Sequence, residues 1–256
     1  MLRSVYSIFG HHLHATDGTI GKVNDFYFDD HKWIARYLVA DTGTWLPGRR
    51  VLIAPQALGM PNWEANEMPV ALTIEQIENS PLVSEKKPLV REHEEELHNY
   101  FGWQPYWALE MPQSSELAEA RARSAEQQLS HEQTESARPA ATAVQQRDAN
   151  LRSAREVMSY RVEASDGQIG HVEDFIIDCE QWMIRYMIVD TRNWFPGKKV
   201  LIAPQWIDKI NWPEQIVNID LTRDQIKNSP EYDPHAPINR EYEEHLFDFY
   251  GRPTYW

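Results

Sequence analysis

Residues 41–56 read DTGTWLPGRRVLIAPQ and residues 190–205 read DTRNWFPGKKVLIAPQ, so one chain carries the same sixteen-residue pattern twice. Each copy holds an Asp-Thr, a Trp, a Pro-Gly reversal with two cations, and the strand-like run VLIAP. Proline presets φ and glycine permits a tight turn, so the pattern predicts a corner that feeds a buried strand. The spacing is 190 − 41 = 149, and the same offset carries Asp17 onto Asp166, Trp33 onto Trp182, Arg36 onto Arg185, Trp63 onto Trp212 and Trp107 onto Trp256.

Residues 2–107 align with 151–256 without a gap, and about 44 of the 106 pairs are identical, far above chance. A unit of about 100 residues is too long for a solenoid repeat and predicts two tandem domains. The expected boundaries are 1–107, a connector at 108–150, and 151–256. The connector lacks glycine and aromatic residues. Its stretch 114–133 is rich in helix formers, and 136–146 reads as a tether.

Within each copy the pattern is mainly β with short helices. DGTIGKVNDFYFDD (17–30) and DGQIGHVEDFIIDCEQ (166–181) predict an Asp-Gly turn where two strands meet. WIARYLVAD (33–41), WMIRYMIVD (182–190) and RRVLIAP (49–55) predict further strands. Short strands at this spacing suggest a small barrel or sandwich. Thr73 with Gln76 and Thr222 with Gln225 have capping-box spacing, with proline just past the helix end. A second helix is expected at 91–102 and 240–251, followed by a Tyr-Trp tail that packs back on its domain.

The bulk numbers narrow the function classes. A formal charge of −14 repels nucleic acid and anionic lipid, so no direct nucleic-acid partner is expected. The apolar runs are strand-sized and predict no transmembrane segment, although peripheral association with a membrane complex stays open. One cysteine and the absence of a leader pattern lead to the expectation of a soluble, cytoplasmic protein.

The order GxIGxVxDF, a hydrophobic strand ending in Asp-Thr, then W-[LF]-P-G-[RK]-[RK]-VLIAP, resembles the PRC-barrel family over residues 5–81 and 154–230. The family is named from the cytoplasmic domain of the photosynthetic reaction centre H subunit, and the same barrel occurs in a ribosome maturation factor. The resemblance implies two tandem small antiparallel β-barrels that dock other macromolecules, joined by a partly helical linker.

Catalytic patterns are missing from the sequence, so no enzyme, cofactor or metal is expected. Cys179 lies in the polar run DCEQ and reads as a surface thiol. His12 and His14 would share a strand face, and Glu95 and His98 have Glu-x-x-His spacing, but the second copy keeps neither set. Arg36 and Arg185 lie inside apolar strands and need carboxylates, for which Asp25, Asp29, Asp41 and their equivalents are available. Trp63 and Trp212 read as core.

The candidate partner-binding residues are Trp45, Pro47, Arg49 and Arg50, with Trp194, Pro196, Lys198 and Lys199 in the second copy. An aromatic anchor beside two cations suits an acidic or amphipathic protein partner. The sequence therefore reads as a docking or scaffold protein whose two barrels pair within the chain. An accessory role in photosynthetic or other electron-transfer complexes, a ribosome-assembly factor, and an enzyme with a site between the barrels are the alternatives.

Overall fold

In a computed structural model of the chain, the described residues are 1–43, 45–46, 49–84, 89–109, 151–191 and 198–256, without the side chains of residues 49, 84 and 109. They fall into two compact units, residues 1–78 with 150–256, and residues 79–149.

The first unit is built on a mixed sheet of 13 strands. The first copy supplies β1 (Leu2–Ser4), α1 (Val5–Ile8), β2 (His12–Ala15), β3 (Gly18–Asp29), β4 (Ile34–Asp41), β5 (Arg49–Ile53), β6 (Glu67–Pro69) and α2 (Ile74–Glu78). In the second unit lie β7 (Val83–Ser84), α3 (Arg91–Phe101) and α4 (Tyr106–Leu109). The second copy continues with β8 (Leu151–Ser153), α5 (Ala154–Val157), β9 (Arg161–Ala164), β10 (Gly167–Asp178), β11 (Met183–Asp190), β12 (Lys199–Ile202), β13 (Ile207–Asn211), β14 (Ile216–Ile219), α6 (Arg223–Asn228) and α7 (Arg240–Tyr250).

The expected strands and both capping boxes are present. Thr73 and Thr222 accept from the amides of Gln76 and Gln225, whose side chains accept in return from the threonine amides. The aspartate of each Asp-Gly turn adds a second cap, since Asp17 accepts from the Ile74 amide and Asp166 from the Arg223 amide, both at 2.8 Å.

Two self-contained barrels were expected, and the strand pairing differs. The two copies exchange their first strands. Leu2, Arg3 and Ser4 pair with Asp178, Ile177 and Ile176 of β10, while Leu151, Arg152 and Ser153 pair with Asp29, Phe28 and Tyr27 of β3. The hydrogen-bonded path runs from β13 at one end to β6 at the other and does not close. Each long strand gives half of one edge to its own hairpin partner and the other half to the opposite copy's arm, so that edge is consumed across the repeat.

A second junction joins β4 to β11 where Ile34 faces Met183. The Trp33 carbonyl accepts from the Ile184 amide and the Trp182 carbonyl from the Ala35 amide, both at 2.7 Å. Both tryptophans hold positive φ, 58° and 54°, a conformation bulky residues adopt only when their surroundings enforce it. Those surroundings are aromatic: Trp33 packs on Phe28 and Phe175, and Trp182 on Phe26. The core thus runs from one copy into the other, and Val5, Ile8, Ala154 and Val157 of the short arm helices are buried in it. Burying each of the larger of these side chains contributes about 1.5–3 kcal/mol.

The second glycine of GxIG allows a close strand approach. A Cβ on Gly21 would lie 2.1 Å from the Asp41 carbonyl oxygen, and one on Gly170 would lie 2.0 Å from that of Asp190. Gly21→Ala and Gly170→Ala are each expected to cost about 3 kcal/mol or more in urea unfolding. Gly10→Ala, where φ is +83° but no atom lies within 4 Å, should cost only about 1 kcal/mol. Cleavage at a protease site inserted within residues 136–146 should leave two halves that co-elute at micromolar concentration, because each holds the other's first strand; separation of the halves would contradict the exchange.

Candidate functional site

The aspartate of GxIGxVxDF holds the exchanged arms. A register shift between Val23 and Asp25, and another between Val172 and Asp174, marks a bulge beside each carboxylate. Bulges re-aim a side chain, and here each aspartate reaches the other copy. Asp25 accepts from the Ser153 hydroxyl at 2.5 Å, the Arg155 amide at 3.0 Å and its neighbour Phe26 amide at 2.8 Å. Asp174 repeats this with the Ser4 hydroxyl, the Tyr6 amide at 2.9 Å and the Phe175 amide at 2.7 Å. Ser4 and Ser153 are also the N-caps of α1 and α5, so one hydroxyl joins helix start and cross-copy lock.

Alike in backbone, the two locks differ in charge. Arg155 stands where the first copy has Tyr6, and its guanidinium donates to the Asn24 carbonyl at 2.6 and 3.1 Å and covers the Phe9 ring at 4.4 Å. Burial raises the pKa of Asp25, and the Arg155 charge acts to lower it. Around Asp174 the same burial is aggravated by the adjacent Glu173, and the carboxyl is pushed up to about 6. Beside it opens a cleft of about 350 Å³ lined by Ser4, Tyr6, Glu173, Asp174, Lys199 and Tyr232, among others. Tyr6 is 69% exposed. Lys199 holds one oxygen of Glu173 at 2.7 Å, while Glu173 Oε2 is buried with no hydrogen-bond partner among the described residues.

Of the sequence-derived candidates, Trp45 is half-buried, and the Arg50 guanidinium lies 5.6 Å from the Tyr27 ring centre. Lys199 reaches the cleft. Lys198 is buried, and its Nζ donates at 2.6 Å to the carbonyls of Lys227 and Ser229 at the end of α6, where a cation complements the helix dipole. Its ammonium is thus turned inward. Pro47, Trp194, Pro196 and the Arg49 side chain lie outside the described residues.

Arg36 pairs with Asp29 at 3.0 Å and Arg185 with Asp178 at 3.6 Å, the carboxylate ties expected of arginines in apolar strands. Cys179 was expected at the surface but is buried, and desolvation pushes its thiol up to about 11. Its amide donates to the Met1 carbonyl, so the arriving N-terminal strand covers it. His12 is exposed and His14 meets Glu67 and Thr19, while the neighbouring His11 is buried against Trp63. Glu95 is exposed, whereas His98 is buried against Trp103 and Trp107. Trp63 and Trp212 are half-buried and capped by Arg3 at 4.8 Å and Arg152 at 3.9 Å, a cation–π lid in place of an apolar core.

The tail packs as expected in the second copy. Tyr186 and Tyr255 both donate to Glu243, at 2.7 and 2.6 Å, and Arg240 lies 3.9 Å from the Trp256 ring. Within the second unit, Tyr106 donates to Glu94 at 2.7 Å and Arg91 lies 4.2 Å from Trp107. No helix among the described residues is long and apolar enough to cross a membrane.

No family model matches the chain, and no curated protein matches it in sequence.

The Asp174 titration has a definite sign. Its folded pKa, about 6, exceeds the unfolded value of 3.8, so the folded state binds the proton more tightly between them. Stability gained from this group therefore rises as pH falls through 6. Relative to Asp174→Asn, which does not titrate, the wild type should gain about 1 kcal/mol in urea unfolding between pH 7 and pH 5. An unchanged difference would show that the carboxyl titrates normally.

Proposed function

We propose that the chain is a tandem PRC-barrel protein that serves as a non-enzymatic docking scaffold for another protein. The observation that carries this reading is the cleft beside Asp174. In the lock around Asp25 the Arg155 guanidinium donates to the Asn24 carbonyl, whereas in the lock around Asp174 the equivalent residue, Tyr6, is exposed at the rim of the cleft. Duplication lets one lock keep an internal guanidinium contact while the other diverges into a surface for a partner. The resemblance to PRC-barrels supports docking as the mode of action, through GxIGxVxDF and the W-[LF]-P-G-[RK]-[RK] corner. The half-buried Trp45 is the corresponding anchor in the first copy.

Crosslinked affinity purification of the full chain from native cells tests this. A docking scaffold should recover a protein in stoichiometric amount. Combined Tyr6→Ala and Trp45→Ala should lower that recovery several-fold without loss of fold by circular dichroism. Equal recovery by the double variant, or no stoichiometric partner, would count against the reading.

An enzyme with a site between the copies is the second reading, and one observation favours it. A carboxyl at about 6 in a cleft between repeats has the poise of a general acid or base. Both its oxygens, however, accept hydrogen bonds from the arm and from Phe175.

A further inference from the structure

The lock around Asp25 shows what the exchanged arm places next to the arm-locking aspartate: a guanidinium. Arg155 donates through Nε and Nη2 to the Asn24 carbonyl, and its charge acts on Asp25. In the lock around Asp174, Tyr6 of the first copy's arm stands in place of that arginine and Glu173 in place of Asn24, so a positive charge is lost and a negative one gained. Among the described residues no basic side chain is paired with Asp174, and Glu173 Oε2, though buried, accepts from nothing. An unpaired buried acceptor is costly, and a charged donor satisfies it best.

The surrounding shape fits a side chain delivered by a peptide. The cleft of about 350 Å³ shares Lys199, Tyr232 and Pro234 with an adjoining recess of about 410 Å³ lined also by Glu231 and Asp233. Together the walls carry four carboxylates, Glu173, Asp174, Glu231 and Asp233, against the single ammonium of Lys199. Tyr6 and Tyr232 offer aromatic faces suited to a guanidinium. The net charge of −14 steers a cationic partner towards the protein.

We propose that this cleft seats an arginine of a basic segment in the partner protein, which supplies in trans the guanidinium that Arg155 supplies in cis at the equivalent position. Glu173 accepts from the guanidinium, Asp174 contributes its charge, and the tyrosines flank the planar group. Glu231 and Asp233 extend the acidic wall for a second basic residue. This deepens the docking reading and rests on it only in taking the partner to be a protein.

The test uses the full chain, a blocked Gly-Arg-Gly-Arg-Gly peptide and its citrulline counterpart, followed by amide chemical shifts in two-dimensional NMR. The arginine peptide should give saturable shifts at Tyr6, Phe175 and Tyr232, and the citrulline peptide should bind about ten-fold more weakly or not at all. Glu173→Gln should weaken binding about five-fold or more. Tyr6→Arg should abolish it by placing a guanidinium of the chain itself beside Asp174, as Arg155 does beside Asp25. Thermal unfolding checks each variant, and if Tyr6→Arg does not fold, Glu173→Gln decides alone. No shifts at the cleft, equal binding of both peptides, or wild-type binding by Glu173→Gln would overturn the inference. Recovery of a crosslinked partner that survives Glu173→Gln would overturn it while leaving the docking reading intact.

Discussion

The reciprocal contact at Trp33 and Trp182 is the constraint on which the first unit depends. Each tryptophan carbonyl accepts an amide of the opposite copy at 2.7 Å, and each ring packs on a phenylalanine of that copy. A tryptophan at positive φ is unfavourable by itself, by an amount of order 1–3 kcal/mol. It persists because the neighbouring copy supplies both the hydrogen-bond donor and the apolar surface. The exchanged arms then close the same junction from the other side, through Ser4 on Asp174 and Ser153 on Asp25. Residue pairs recur in both directions, which is the pattern of an isologous interface placed inside one chain.

That reciprocity makes departures from it informative. Arg152 reaches Asp30 at 3.0 Å, whereas the equivalent acceptor for Arg3 has become Cys179, and the Met1 ammonium instead meets Asp178 and Glu180. Arg155 donates to the Asn24 carbonyl in one lock, whereas Tyr6 borders the cleft in the other. Where two copies share a fold, a position that keeps its role is under structural constraint. A position beside which the other lock's arginine is missing, and which holds a buried acceptor oxygen without a partner among the described residues, is available for something outside the fold. Glu173 is such a position, and it anchors the proposed use of the cleft.

Parts of this were legible from residues alone. Thr73 with Gln76, and Thr222 with Gln225, announce helix starts because capping is local chemistry within three residues. Arg36 inside an apolar strand announces a carboxylate partner because a buried charge must be paired, although Asp25, Asp29 and Asp41 could not be told apart. Asp29 takes that role, and Asp25 takes another that depends on a bulge and on a serine 128 residues away. The three-residue strands Leu2–Ser4 and Leu151–Ser153 were not legible, since a run that short has no periodicity to read. Lys198 looked like a docking cation because charge suggests exposure, and only packing showed its Nζ on the last carbonyls of α6.

The sequence by itself determined that there are two copies at an offset of 149, that each is mainly β with capped short helices, and where the tails fall. These follow from period, turn chemistry and caps, all of which act over a few residues. Only the tertiary structure decided which copy each first strand completes, that Cys179 is covered, and that Tyr6 and Glu173 border an open cleft while Arg155 meets the Asn24 carbonyl at the other lock. The physical reason is that the two copies offer nearly the same edges and acceptors, so local preference cannot distinguish pairing within a copy from pairing across copies. That choice is made by the packing of the first unit around Trp33 and Trp182.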